Sequence, residues 1–153
     1  MSHFNVTLER TRRLSASTLD FRFRRDDGET VSFEPGQFFR FTFTDDDGEF
    51  ERSYSLCNYD ESETPTSALD LVVSWVDGGR ASKLLFSGAP NISARVTGPY
   101  GRLLIPAQLP RRLFLVATSV GIAPYMPMLA RLATPLARGE VQVYFLFGAR
   151  GPD

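Results

Sequence analysis

From Phe39 to Thr44 the chain reads Phe-Arg-Phe-Thr-Phe-Thr, aromatic and polar side chains in strict alternation. A period of two puts the rings on one side of an extended strand and the polar groups on the other, which a helix of period 3.6 does not do. The same alternation appears in Phe4-Asn5-Val6-Thr7-Leu8 and in Leu19-Asp20-Phe21-Arg22-Phe23-Arg24. Thirteen phenylalanines in 153 residues reinforce the preference for sheet. Turn-forming strings separate these runs: Asp26-Asp27-Gly28-Glu29, Glu34-Pro35-Gly36 and Asp45-Asp46-Asp47-Gly48. The three aspartates read as a solvated hairpin turn rather than as a metal site. Further strands are expected at 51–57, 69–76 and 91–97, with a polar loop over 58–67 and one short helix at 80–86. About six short antiparallel strands with frequent turns indicate a barrel or a sandwich.

From Pro110 the pattern changes. Arg112-Leu113-Phe114-Leu115-Val116-Ala117-Thr118 is nearly continuous in apolar residues, as expected for a strand buried on both faces of a parallel sheet. Pro124 is suited to open a helix reaching about Thr134. Residues 141–147 then read as a second buried strand, giving a βαβ unit with a right-handed crossover. Two strands and one helix do not complete a doubly wound domain, so a fragment, or a chain truncated inside its second domain, is expected.

Several function classes are disfavoured. Seventeen basic and eighteen acidic residues leave a formal net charge of −1, with no basic field to recruit nucleic acid. Cys57 is the single cysteine and His3 the single histidine, which argues against an internal disulfide, a cysteine-held cluster, a histidine-based zinc site or a catalytic triad. No segment reaches the roughly 18–20 apolar residues of a membrane-spanning helix, so no membrane association and a cytoplasmic location are expected.

The chemistry-bearing string is Arg52-Ser53-Tyr54-Ser55-Leu56. On a strand, Arg52 and Tyr54 project to one side and the two serines to the other. A guanidinium can clamp a phosphate, a phenol ring can cover a flat heteroaromatic, and Ser55 can reach its edge. By itself such a string arises by chance in ordinary exposed strands. Gly79-Arg80-Ala81-Ser82 opens the short helix, where backbone amides favour a phosphate and Ser82 adds a hydroxyl; a plain glycine turn with a helix cap reads equally well. Thr97-Gly98-Pro99-Tyr100-Gly101 reads as a rigid turn at a strand end. Residues 116–124, Val-Ala-Thr-Ser-Val-Gly-Ile-Ala-Pro, join strand to helix where α/β sheets bind nucleotides. Gly148-Ala149-Arg150 places a cation at the same edge.

In this order, Arg-x-Tyr-Ser, Gly-x-x-Ser, Gly-Pro-aromatic-Gly, a Gly-Thr-Gly-x-x-Pro-like junction and Gly-x-Arg, the chain resembles the ferredoxin–NADP reductase family from about Phe4 to Arg150. The resemblance implies an antiparallel Greek-key barrel of six strands with one small helix that binds FAD, over residues 1–106. It further implies the start of a Rossmann-like NAD(P)-binding α/β domain over residues 111–153. Carried onto this chain, it puts Arg52 on the flavin pyrophosphate, Tyr54 on the isoalloxazine and Ser55 near flavin N5, so that Tyr54 and Ser55 are the candidate catalytic residues. Ser53 lies in the same cofactor-binding string, and Gly79, Arg80, Ala81 and Ser82 would hold the pyrophosphate. Thr118, Gly121 and Pro124 would lie beside the nicotinamide nucleotide and Arg150 near its adenosine phosphate, with no metal involved. The implied activity passes hydride from NADPH to FAD and single electrons to a ferredoxin or flavodoxin, in a monomer. Alternatives are the NADH-dependent reductase component of a multicomponent oxygenase and a non-catalytic flavin-binding module. One departure stands out: Ser119-Val120-Gly121 replaces the family's usual Gly-Thr-Gly.

Overall fold

The computed structural model describes residues 2–59 and 66–151; most of the loop expected at 58–67 lies outside the described residues. The alternating segments form six strands: β1 (Ser2–Arg13), β2 (Thr18–Arg25), β3 (Phe38–Asp45), β4 (Gly48–Ser55), β5 (Ala68–Ser74) and β6 (Ser93–Tyr100). They make one antiparallel sheet in the order β4-β3-β6-β1-β2-β5. Two hairpins, β1–β2 and β3–β4, are separated by β6, which returns between them in Greek-key fashion. The sheet curls until its two edges meet without a full ladder. There the Cys57 amide donates to the Asp70 carbonyl at 2.9 Å. The Asn58 side chain donates to the Ala68 carbonyl and accepts from the Asp70 amide, each at 3.1 Å. The result is a half-barrel fastened by one bracketed crossing.

Curling follows from the sequence pattern, because the phenylalanine face must be removed from water. Phe21, Phe23, Phe39, Phe41 and Phe43 are fully buried. Their rings interlock, with Phe23 at 5.6 Å from Phe41 and Phe43 at 5.6 Å from Phe50. Each such ring contributes roughly 1.5–3 kcal/mol by leaving water. On the outer face, Asp20 and Asp70 are buried but paired. Arg22 Nε donates to Asp70 at 2.7 Å, and Arg12 lies 3.1 Å from Asp20. A short helix, α1 (Arg80–Leu85), closes one end of the barrel through Leu85 and Ala81.

The expected turn at 97–101 is largely strand. Thr97, Gly98 and Tyr100 all have ladder partners in β1 or β3. Glycine is required at position 98 by packing, since a Cβ there would lie 2.5 Å from the Phe39 ring.

Beyond the barrel, β7 (Arg112–Thr118) and β8 (Gln142–Gly148) pair in parallel, joined by a 3-10 turn (Ser119–Ile122) and α2 (Tyr125–Ala137). The helix continues past Thr134 through Pro135 and ends with the Arg138 amide donating to the Thr134 carbonyl. The two strands were expected to be buried on both faces, but only Leu115 and Ala117 of β7 are. A single helix covers part of one face, so Phe114, Val116, Tyr144 and Leu146 on the open face and Phe145 and Phe147 on the other remain exposed, with Phe114 stacked on Tyr144 at 4.9 Å.

Candidate functional site

β4 is an edge strand, and this decides what its side chains can do. Its register sets Phe50, Arg52 and Tyr54 opposite Phe43, Phe41 and Phe39, so all three project to the core-facing side. Phe50 is buried, Tyr54 half-buried and Arg52 exposed. The half-buried Tyr54 ring and the Phe41 ring meet edge to face at 5.7 Å and 72°, which fixes the plane of Tyr54. Burial pushes the Tyr54 phenol up to about 12 against the pull of the Arg52 charge, so at neutral pH it stays protonated. Ser53 and Ser55 face the other way, with Ser53 paired to Arg40 and Ser55 to Phe38. Phe38 in turn lies 5.6 Å from Tyr100, which makes a row Ser55, Phe38, Tyr100 across three strands.

Arg52 Nη1 donates to the Glu51 carbonyl at 2.7 Å. Its Nε and Nη2 make no hydrogen bond, and no carboxylate pairs with it, among the described residues. The guanidinium lies 5.6 Å from the centre of the Phe50 ring. Arg80, the first residue of α1, lies 4.5 Å from the same ring centre. One buried aromatic thus lies within cation–π reach of both the sequence-predicted phosphate clamp and the helix start 28 positions further along the chain.

The structure brings Arg80 to the ring that Arg52 also faces, with Gly79 at the start of α1, but gives the other two residues of that string different tasks. Ala81 is buried in the core. Ser82 is buried as well, and its Oγ accepts the Val76 amide at 2.9 Å, holding the turn that precedes α1. Arg80 is itself engaged: Nε donates to Asp45 Oδ2 at 2.9 Å, Nη2 to Asp45 Oδ1 and to the Gly48 carbonyl at 3.0 Å. That hydrogen-bonded pairing holds the Asp45 carboxyl below the usual carboxylate range. Sequence reasoning missed both Phe50 and Asp45 as parts of this site. Phe50 was findable, because it stands two residues before Arg52 and so shares its face.

At the carboxyl edge of the small sheet, Thr118 pairs with Gly148, and a Cβ on Gly148 would meet Thr118 at 3.4 Å. Gly121 is exposed in the 3-10 turn, Pro124 caps α2, and Arg150 is exposed without an ion pair among the described residues. The 3-10 turn lies against β5 of the barrel. Ser119 has φ +48°, the left-handed region that favours glycine. Ser119→Gly is therefore expected to stabilise the protein. Relief of roughly 1–2 kcal/mol of strain is partly offset by about 0.4–1 kcal/mol of added chain entropy in the unfolded state. Thermal melting of the two proteins checks the sign.

The surroundings of Cys57 disfavour its thiolate. Burial, and then the nearby Asp70 and Asp20 carboxylates, push its thiol up to about 12. Among the described residues there is no group of three or more His, Cys, Asp or Glu able to hold a metal ion, and no helix long and apolar enough to cross a membrane.

Residues 5–105 match the family described as oxidoreductase FAD-binding domain. The matched stretch holds Arg52, Tyr54, Ser55, α1 and the Gly98–Gly101 string, and ends before the junction at Thr118. Ferredoxin–NADP reductase B of Sorangium cellulosum is 31% identical over 147 residues, which are 96% of this chain and 58% of that protein. The ferredoxin–NAD(+) reductase component of the alkene monooxygenase system of Xanthobacter autotrophicus is 35% identical over 122 residues, 77% of this chain and 35% of that one. Among solved structures, the Amycolatopsis cytochrome P450 reductase GcoB superposes with a TM-score of 0.79 at 26% identity, over 99% of this chain and 44% of its own. The chain thus spans little more than half of the first relative and about a third of the second.

Proposed function

Because the chain belongs to the oxidoreductase FAD-binding domain family, we propose that its barrel binds one FAD noncovalently and serves a ferredoxin or flavodoxin reductase that draws on NADPH. The observation that carries this reading is the arrangement along β4. The residues fit the cofactor on their own chemistry: Arg52 offers two unengaged nitrogens, Ser55 a hydroxyl without a partner among the described residues, and Tyr54 a ring held in a fixed plane. When bound, FAD supplies the redox chemistry, taking up a hydride and releasing electrons singly.

In this reading the chain's own residues bind and orient. Arg52 holds the diphosphate by charge-assisted hydrogen bonds, and the half-buried Tyr54 ring gives the flat ring system a surface to rest on. Its phenol, protonated at neutral pH, can donate a hydrogen bond but does not act as a base. Ser55 stands ready to donate from the opposite side of the strand. We assign residues 1–106 to the flavin domain. Residues 111–153 are assigned to the first strand–helix–strand unit of a nucleotide-binding domain, with Thr118, Gly121, Pro124 and Arg150 at its ligand edge. A cytoplasmic monomer fits this reading.

Arg52→Ala is expected to weaken FAD by about 1.5–3 kcal/mol, the range for a hydrogen bond to a charged group. Fluorescence titration of the apoprotein with FAD measures it, and an unchanged dissociation constant removes the phosphate role. A second reading, an NADH-dependent component feeding an oxygenase, is favoured by the 35% identity to the alkene monooxygenase reductase. Anaerobic mixing of the FAD-loaded complete protein with each nucleotide separates the two. Faster bleaching with NADH selects the oxygenase reading, and no bleaching with either selects a binding module.

A further inference from the structure

The hairpin acid Asp45 has a task that the sequence does not announce. It lies at the end of β3, 35 positions before Arg80, and its two oxygens take the Nε and Nη2 edge of that guanidinium. The side chains are 34% exposed for Arg80 and 23% for Asp45, so the pair lies at the surface beside Phe50. Nη1 of Arg80 makes no hydrogen bond among the described residues. Two partly free guanidiniums therefore share one ring, Arg52 at 5.6 Å and Arg80 at 4.5 Å from its centre. Their separation cannot exceed the sum of those spans, so one ligand carrying two linked phosphates can reach both.

We propose that Asp45 is a positioning residue that sets the site's preference for a flavin carrying two phosphates: by holding the Nε and Nη2 edge of Arg80 it presents Nη1, beside Arg52, to the second phosphate. The proposal rests on the flavin reading given above. An unfastened arginine must give up its rotamer freedom at the moment of binding, whereas Arg80 has been ordered by Asp45, the Gly48 carbonyl and the Phe50 ring before a ligand arrives. The carboxylate does not repel the ligand strongly, because both its oxygens are turned onto the guanidinium.

The test measures FAD and FMN dissociation constants for the full chain, for Asp45→Asn and for Asp45→Glu, with the melting temperature of each apoprotein. The expected result is a loss of FAD affinity of about tenfold in Asp45→Asn, with FMN affinity changed less than twofold and partial recovery in Asp45→Glu. Equal weakening of FAD and FMN would reduce Asp45 to a fold-holding residue and overturn the proposal. Unchanged or tighter FAD binding in Asp45→Asn would overturn it too, showing that the carboxylate competes with the ligand. If the unaltered chain binds neither flavin, the flavin reading falls and this proposal with it; if it binds FAD and only the Asp45 comparison fails, the flavin reading stands.

Discussion

Replacing Phe41 with alanine should cost about 3–5 kcal/mol of stability, the usual range for deleting a fully buried ring. Phe41 has no exposed surface and packs against Phe23 at 5.6 Å and Phe43 at 5.9 Å. Phe43 is held on the same strand and Phe23 on β2 across the barrel interior, so the hole left by the ring cannot readily collapse. The same ring supports the site, because it stands opposite Arg52 in the ladder and meets the Tyr54 ring edge to face at 5.7 Å. A milder substitution separates the two roles. Phe41→Leu keeps the position apolar at reduced volume and should cost less than the alanine. It should still free the Tyr54 ring from its edge contact and weaken flavin binding. Urea denaturation reads the stability and flavin fluorescence reads the site. A Phe41→Ala protein within about 1 kcal/mol of the original would show that the core repacks far more easily than interlocked rings permit.

How much of this was legible follows from the range over which each interaction acts. The strand β3 was readable because alternation is a local signal, and Arg52 and Tyr54 could be put on one face by the same period. The Asp45–Arg80 pair was not readable, since nothing local joins a hairpin tip to a helix that begins 35 residues later. Thr97-Gly98-Pro99-Tyr100-Gly101 looked like a turn because glycine and proline punctuate chains. Gly98 instead answers a steric demand from Phe39, a residue remote in sequence. The apolar runs of β7 and β8 identified the strands correctly. Their burial could not be read the same way, because burial depends on what covers a sheet and α2 covers a single face. At Ser119 the departure from the family's glycine was visible in the sequence, whereas its consequence, a serine at φ +48°, needed the backbone.

Gly36→Ala should destabilise the protein by about 2–6 kcal/mol, and the loss should be concentrated where the barrel meets α2. Two independent penalties combine. Gly36 has φ +100°, which a side chain adopts only under strain of order 1–3 kcal/mol. In addition, a Cβ at this position would lie 1.8 Å from the Leu103 carbonyl oxygen and 2.3 Å from Met128 Cε. The methionine terminus can swing aside; the carbonyl belongs to the backbone and can move only with the segment that leads from β6 to β7. Overpacking of that kind adds about 1–3 kcal/mol. A further link here, Glu34 to Arg131 at 3.8 Å with both side chains largely exposed, is worth little. Glu34→Gln is therefore the control, expected to change stability by less than about 0.5 kcal/mol. Amide exchange locates the damage: in Gly36→Ala the α2 amides should exchange faster while the β1–β2 ladder keeps its protection. Uniform loss across both would mean that the turn supports the whole barrel instead, and a melting curve matching that of the original protein would mean that the Leu103 segment yields without cost.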